Sequence, residues 1–468
     1  MRVVHAMMLL VIFVLATACS EPGDSFNIIS TDPRIGDVSG DRAARDPSGS
    51  MVTDIVVLVV DTLRADAFGC GTDADMPFTE AFFAEHGTCF ARASSSAPWT
   101  TPGTVGVLSG THPSTNRVFE YIGTSNVLSE DIWLAGELLK GYGFKSGQAS
   151  ANPMAWQQAG IESRFDEAAN LPLPSSDDLQ QENDRTILEG YADLRTKLGH
   201  KAVIHLQPMS PHSQWCPTEA NTWVTAEDGK AYDICHLDPS TSDSFREAVL
   251  SGDQMLLEAV KSLYREEVSL LDIELASFLS SLDLTRTVVV FTADHGDQFM
   301  EHGRFEHGNS VFREEVRVPL AMAGPRIPKG TSVTDIPVST VDILPTIFTV
   351  LGAELDPQFE GRSLLRLAKG TDPNGMLGRA YCENPAGNEQ IHWMDQGITV
   401  SLPEGGIYTL IRKGDDGTTY LYDEVADPEQ EINLAGDPSI QWIYDLLLPM
   451  LPTDFGPVQP WDEWMGAF

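Results

Sequence analysis

Two stretches of this chain carry apolar, β-branched residues with no polar alternation: Asp54–Val60 (DIVVLVV) and Thr287–Thr292 (TVVVFT). Runs of that kind are strands buried on both faces, as in the interior of a parallel sheet. Ala202–Leu206 is a shorter strand of the same type. Helical patterns separate them. Over Ser129–Lys140 the apolar residues Ile132, Ala135, Leu138 and Leu139 fall on one face, with Ser129 as cap and Gly141 as stop. Gln254–Leu282 predicts a long amphipathic helix, and Val338–Leu351 predicts another. Strands alternating with helices, with no internal repeat, specify an α/β domain around a mainly parallel sheet. From about residue 355 the segments shorten. Ile407–Arg412, the turn Gly414-Asp415-Asp416-Gly417 and Thr418–Tyr422 predict a hairpin in a small C-terminal subdomain of α+β type. The expected division is therefore a main domain over 53–355 and a subdomain over 356–468.

Composition adds one strong constraint. Among 468 residues, 68 are acidic and 30 basic, a formal net charge of -38. Such a surface repels nucleic acid and anionic lipid headgroups, which excludes both as partners. A chain this acidic needs local positive potential to hold an anionic substrate, which gives weight to any metal ligands.

Residues 1–19 read as an export leader: Arg2, an apolar run from Ala6 to Ala18, and small residues before Cys19 (Leu15-Ala16-Thr17-Ala18). The run is short for a membrane span. The small residues before Cys19 resemble a bacterial lipobox, which makes Cys19 the lipidation site and the lipid the only tie to a membrane. The alternative is an ordinary cleaved signal peptide. Residues 20–52, rich in Gly, Ser, Asp and Arg, read as a flexible linker. Either leader delivers the chain to an oxidising compartment, on the lipid reading the bacterial cell envelope. There Cys70 with Cys89 and Cys216 with Cys235 are plausible pairs, with Cys382 left over, although sequence leaves the connectivity open.

The two best strands both end on acidic residues, Asp61 and Asp294, and His295 follows. Ligand sites in open α/β sheets lie beyond the carboxyl ends of the strands, so these three side chains are expected to converge as metal ligands. Each alone is as readily a helix cap.

Further motifs make a resemblance. Asp61-Thr-Leu-Arg-Ala-Asp66, Trp99-Thr-Thr-Pro-Gly-Thr-Val-Gly-Val-Leu-Ser-Gly110, Asp294-His-Gly with Glu301-His-Gly and Arg317-Val-Pro-Leu, then Asp342-Ile-Leu-Pro-Thr, Gly361-Arg-Ser-Leu and the segment Leu421–Leu434 occur in order. Together they resemble the sulfatases of the alkaline-phosphatase superfamily over residues 53–436. That resemblance implies a three-layer fold and a metal-dependent hydrolase of a sulfate or phosphate ester.

This chain departs from the family pattern at several points. Thr100 stands where sulfatases carry the Cys or Ser that becomes formylglycine, and Thr104 replaces the family's arginine. The Lys-x-His segment is absent, with Asn152 near its position, and Thr62 stands where many relatives have a second Asp. Threonine is the attacking residue in other branches of the superfamily, so the resemblance implies Thr100 as nucleophile and fourth metal contact; the alternative is a helix cap. By the same resemblance His212 and His307 are catalytic. Thr104, Asn152, His302 and Arg317 are candidate substrate contacts, Arg317 being equally readable as half of an ion pair. His205 is expected to face a strand environment without a ligand role. None of the 11 histidines has Asp four residues before it, the spacing that two-metal relatives need, so one divalent ion is expected. The mixed O and N donors suit Mn²⁺ or Zn²⁺ somewhat better than the Ca²⁺ of sulfatases. Two rivals stay open, a phosphodiester or phosphoglycerol-type transferase and a non-catalytic binding lipoprotein.

Overall fold

The computed structural model describes residues 51–70, 75–119, 128–171, 180–217, 222–237, 239–371, 378–384, 395–402 and 405–451. Cys19, the leader and the linker up to residue 50 lie outside the described residues. The core is an eight-stranded sheet of β1 (Asp54–Val60), β2 (Gly87–Phe90), β3 (Lys145–Ser150), β4 (Glu167–Ala168), β5 (Ala202–Gln207), β6 (Thr287–Ala293), β7 (Leu320–Ala323) and β8 (Thr331–Val333). Its spatial order is β8-β2-β7-β6-β1-β5-β3-β4. Only β7 runs antiparallel to its neighbours, β6 and β2; the other pairings are parallel. Every residue of β1, β5 and β6 is buried, as the mainly apolar runs imply, with His205 and Gln207 the polar residues of β5.

Helices cover both faces. Adjacent strand residues point to opposite sides, and a Cβ on Gly147 would meet Leu194 and Leu198, whereas Gly136 packs against Ser146. The helix Gln180–Leu198 (α3) therefore lies on one face of β3, and the short helix Ala135–Lys140 on the other. The long helix Gln254–Ser280 (α4) forms where its period indicates, capped by Asp253, whose side chain accepts from Leu256 N.

Two expected helices are shorter than their patterns. The segment predicted over Ser129–Lys140 is helical only from Ala135, because the backbone of Trp133 is held at both its N–H and its carbonyl by Gln358. Val338–Ser339 is not helix but a strand beside Ala93–Ser94. Ser339 and Asp342 then form a reciprocal cap, and the α-helix proper (α5) is Ile343–Leu351.

In the C-terminal part, β9 (Arg379–Asn384), β10 (Asp395–Ser401), β11 (Ile407–Arg412) and β12 (Thr419–Asp423) form an antiparallel sheet. The expected hairpin is β11–β12. One face of this sheet packs Ile398, Val400, Leu410 and Leu421 against Ile443, Leu447 and Leu451.

Candidate metal and catalytic site

Four neighbouring strands deliver the site. In the register, Val60 of β1 faces Ala293 of β6, so Asp61 and Asp294 leave the sheet side by side. On the other flank Ser150 of β3 faces Gln207 of β5, and Asn152 follows two residues later. Helix Thr100–Ser109 (α2) brings its first turn to the same edge. It approaches so closely that a Cβ on Gly103 would sit 2.4 Å from the Asp294 carbonyl oxygen. Glycine is needed there for space rather than for an unusual φ.

The ligand atoms of Asp61, Asp294 and His295 lie within 4.8 Å of one another, and all three residues are fully buried. His295 donates from Nδ1 to the Gly296 carbonyl at 2.9 Å, which leaves its Nε2 lone pair facing Thr100. Burial, with the neighbouring His307, holds the His295 imidazole well below its ordinary pKa, so it is neutral. Asp294 is pushed well up, first by burial and then by the charge of Asp61. Asp61 Oδ1 is buried without a hydrogen-bond partner. Two buried carboxylates, one with an orphaned oxygen, beside a neutral imidazole nitrogen form a donor set that fits a divalent cation.

Thr100 is the first residue of α2 rather than its cap; that position belongs to Trp99. Thr100 Oγ1 lies 3.3 Å from His295 Nε2 and 3.4 Å from Asn152 Nδ2. Asn152 Nδ2 also donates to Asp61 Oδ2 at 2.6 Å. Next to them, Gln207 Nε2 donates to Asp294 Oδ2 at 2.9 Å and to Asp61 Oδ2 at 3.4 Å. The Thr104 hydroxyl donates to Gln207 Oε1 at 3.3 Å.

The other candidates divide. His307 packs against His295, with ring centroids 4.4 Å apart, and against His212 at 5.1 Å. Its Nδ1 is 3.0 Å from Asp297 Oδ1. Burial, and then the neighbouring His212 and Arg246, holds the His307 imidazole well below its ordinary pKa. Burial pushes Asp297 up to about 7, against the pull of His212 and Arg64. His302 and Arg317 are engaged elsewhere. His302 stacks on Phe312 at 4.0 Å with Glu314 3.2 Å away. Arg317 binds Glu424 at 3.4 Å and the Ala91 carbonyl at 3.1 Å, the ion-pair arrangement. His205 is buried on β5, accepting from Gln148 and stacked on Phe165. Both expected disulfides are present, Cys70–Cys89 and Cys216–Cys235, and Cys382 is free and buried.

Two members of the site were not among the expected functional residues. Gln207 is a polar residue ending an apolar strand, a signal of the kind that marked Asp61. Asp297 sits three residues after Asp294, and only the fold shows that it meets a histidine ten residues on.

A family profile described as Sulfatase matches residues 53–353, well over half of the chain. The chain belongs to the sulfatase family. Mouse arylsulfatase K is 31% identical over 176 residues, covering 37% of this chain and 31% of the mouse protein. The chain thus matches about a third of the length of the curated relatives it resembles. Among solved sulfatase structures, a 2-O GAG sulfatase superposes with a TM-score of 0.68 at 18% identity, covering 89% of this chain and 92% of that one. A phosphonate monoester hydrolase of Agrobacterium radiobacter gives a TM-score of 0.64 at 15% identity, covering 86% and 96%. These likenesses agree on the fold, the alkaline-phosphatase type with a mostly parallel central sheet. The family is metal dependent, and Asp61, Asp294 and His295 are the group here that could bind the ion.

Proposed function

We propose that this sulfatase-family chain is a hydrolase of a sulfate or phosphate ester in which Thr100 attacks the sulfur or phosphorus. The observation that carries the reading is the place of Thr100 Oγ1 at the N-terminal end of α2, within 3.4 Å of both His295 and Asn152. An attacking hydroxyl needs activation, and a developing anion is stabilised by backbone N–H groups at a helix start. One divalent ion, held by Asp61, Asp294, His295 and Thr100, would lower the pKa of the hydroxyl and polarise a substrate oxygen. Mn²⁺, Zn²⁺ and Ca²⁺ are the candidates. In this scheme Thr100 forms a covalent ester as its hydroxyl proton passes to His307, His307 hands that proton to the departing alcohol, and water then releases Thr100. His212 and Asn152 contact the anion. Asp297 fixes the His307 ring through Nδ1. The same reading places the mature chain in the cell envelope, tethered through Cys19, with a small-molecule, glycan or lipid ester as substrate.

A second reading, a binding protein that keeps the site without turnover, rests on Thr104, which donates to Gln207 at the position where the resemblance expects an arginine. Both readings meet one experiment. The chain is assayed on an aryl sulfate, a phosphate monoester, a phosphodiester and a phosphonate ester, with and without Mn²⁺. Thr100→Ala should lose several orders of magnitude on whichever ester turns over, and Thr100→Ser should keep a measurable fraction. Full activity in Thr100→Ala would exclude Thr100 as the nucleophile.

A further inference from the structure

We infer that Gln207, seated by Thr104, is the residue that positions both metal carboxylates, and that it does so without placing a positive charge beside them. The inference rests on reading Asp61 and Asp294 as metal ligands. Its basis is the hydrogen-bond inventory of those two side chains. Asp294 Oδ1 accepts from Thr62 N at 3.3 Å and from His295 N at 2.9 Å, and its Oδ2 accepts from Gln207 Nε2. Asp61 Oδ2 accepts from Asn152 Nδ2 and from Gln207 Nε2, and its Oδ1 accepts from nothing. Every donor in this set is a neutral amide or backbone N–H. Among the described residues, Gln207 is the one whose side chain donates a hydrogen bond to both carboxylates.

Its orientation is determined by chemistry. Turned over, the amide would aim its carbonyl oxygen at two carboxylate oxygens, and its NH₂ would face a Thr104 hydroxyl that can equally well serve the present arrangement as donor. The carboxylates therefore turn Nε2 toward themselves, and the Thr104 hydroxyl holds the amide there by donating to its Oε1. Both residues are fully buried, so water cannot stand in for either contact. Thr104 occupies the position where the resemblance places an arginine. A guanidinium there would supply donors but also a fixed positive charge beside the acids. The Thr104–Gln207 pair supplies donors alone and places no positive charge beside the acids to compete with a divalent cation. Residues that orient ligands in this way set metal affinity rather than taking part in the chemistry.

The test uses the full chain stripped with a chelator and then titrated with Mn²⁺ alone by calorimetry, with thermal unfolding as a check of folding. Gln207→Leu, close in volume and without the amide, should weaken Mn²⁺ binding by roughly 10- to 100-fold. Thr104→Val should weaken it by a smaller factor and add nothing in a Gln207→Leu background, because it acts through the amide. A merely structural role would lower the melting temperature and leave the Mn²⁺ affinity of the folded protein unchanged; that result overturns the inference. Should Gln207→Leu fail to fold, Thr104→Val decides: unchanged affinity overturns the inference, and reduced affinity supports it. If the parent protein itself binds no Mn²⁺, the metal-ligand reading and this inference fall together. If the parent binds and the folded variants bind equally, the inference falls alone.

Discussion

Gly103→Ala tests whether the approach of α2 to β6 sets the place of Thr100. The added Cβ would lie 2.4 Å from the Asp294 carbonyl oxygen and 3.1 Å from its carbonyl carbon. Ordinary contact begins near 3.4 Å, so relief requires roughly 1 Å of movement, and the obstacle is backbone that cannot rotate away. Thr100 lies one turn earlier on the same helix, so the shift reaches it directly. Overpacking of this kind costs about 1–3 kcal/mol of stability. A misplacement of about 1 Å in a reacting group costs on the order of 100-fold in rate. The expected result is a lowered melting temperature with a larger fractional loss of turnover, measured on the same preparation by scanning fluorimetry and ester hydrolysis. Gly190→Ala is the control. Gly190 lies on α3 and the nearest atom to an added Cβ is the Ala149 Cβ of β3 at 3.7 Å, so alanine fits and should stabilise the helix by roughly 0.5–1 kcal/mol. If Gly103→Ala melts and turns over like the parent, α2 does not meet β6 as described and the positioning argument fails.

Other expectations are more direct. Asp294→Ala should abolish stoichiometric metal binding, and unchanged metal content by elemental analysis would remove Asp294 from the site. Burial lowers the His205 pKa from its ordinary 6.5 to about 3. The unfolded chain therefore takes up a proton as pH falls through that window while the folded chain does not, and stability drops from about pH 6.5 to about pH 3 by up to roughly 5 kcal/mol. Urea midpoints should show this slope, and His205→Gln should flatten it; an equal slope in the variant would count against the assignment. Cys19→Ala should release the chain from membranes or leave its leader uncleaved, and equal fractionation of variant and parent would make Cys19 a bystander.

The parts of the molecule that were legible from sequence are those where one physical requirement acts alone. β1 and β6 are buried on both faces, so Ile55–Val60 and Val288–Phe291 are apolar throughout, and the acidic residue that follows each strand stands out. That pattern alone points to Asp61, Asp294 and His295 as a group at the strand ends. Helix boundaries were less legible because tertiary partners compete with local propensity: Gln358, some 225 residues away in sequence, takes the backbone groups of Trp133 that a helix would have used. The supporting residues were the least legible. Nothing local to Gln207 says that its amide will lie between two carboxylates from other strands, and nothing local to Asp297 says that it will meet His307. His302 and Arg317 show the converse. Each sits in a recognisable motif, and each spends its polar groups on Glu314 or Glu424, away from Thr100.

The two disulfides close loops of the same sequence separation, 19 residues, and both lie just downstream of site residues. Cys70–Cys89 follows the turn that begins at Asp61, and Cys216–Cys235 follows the loop that carries His212. Constraining loops of this length is worth roughly 3 kcal/mol each in the chain-entropy account. The surroundings of the centre therefore depend on an oxidant as well as on the sequence. Cys89 lies on β2, so the first bridge ties the segment after Asp61 to the sheet itself, and the second closes the segment after His212. A batch folded in reducing conditions would lack both constraints, so thiol titration belongs beside any claim that a preparation is inactive.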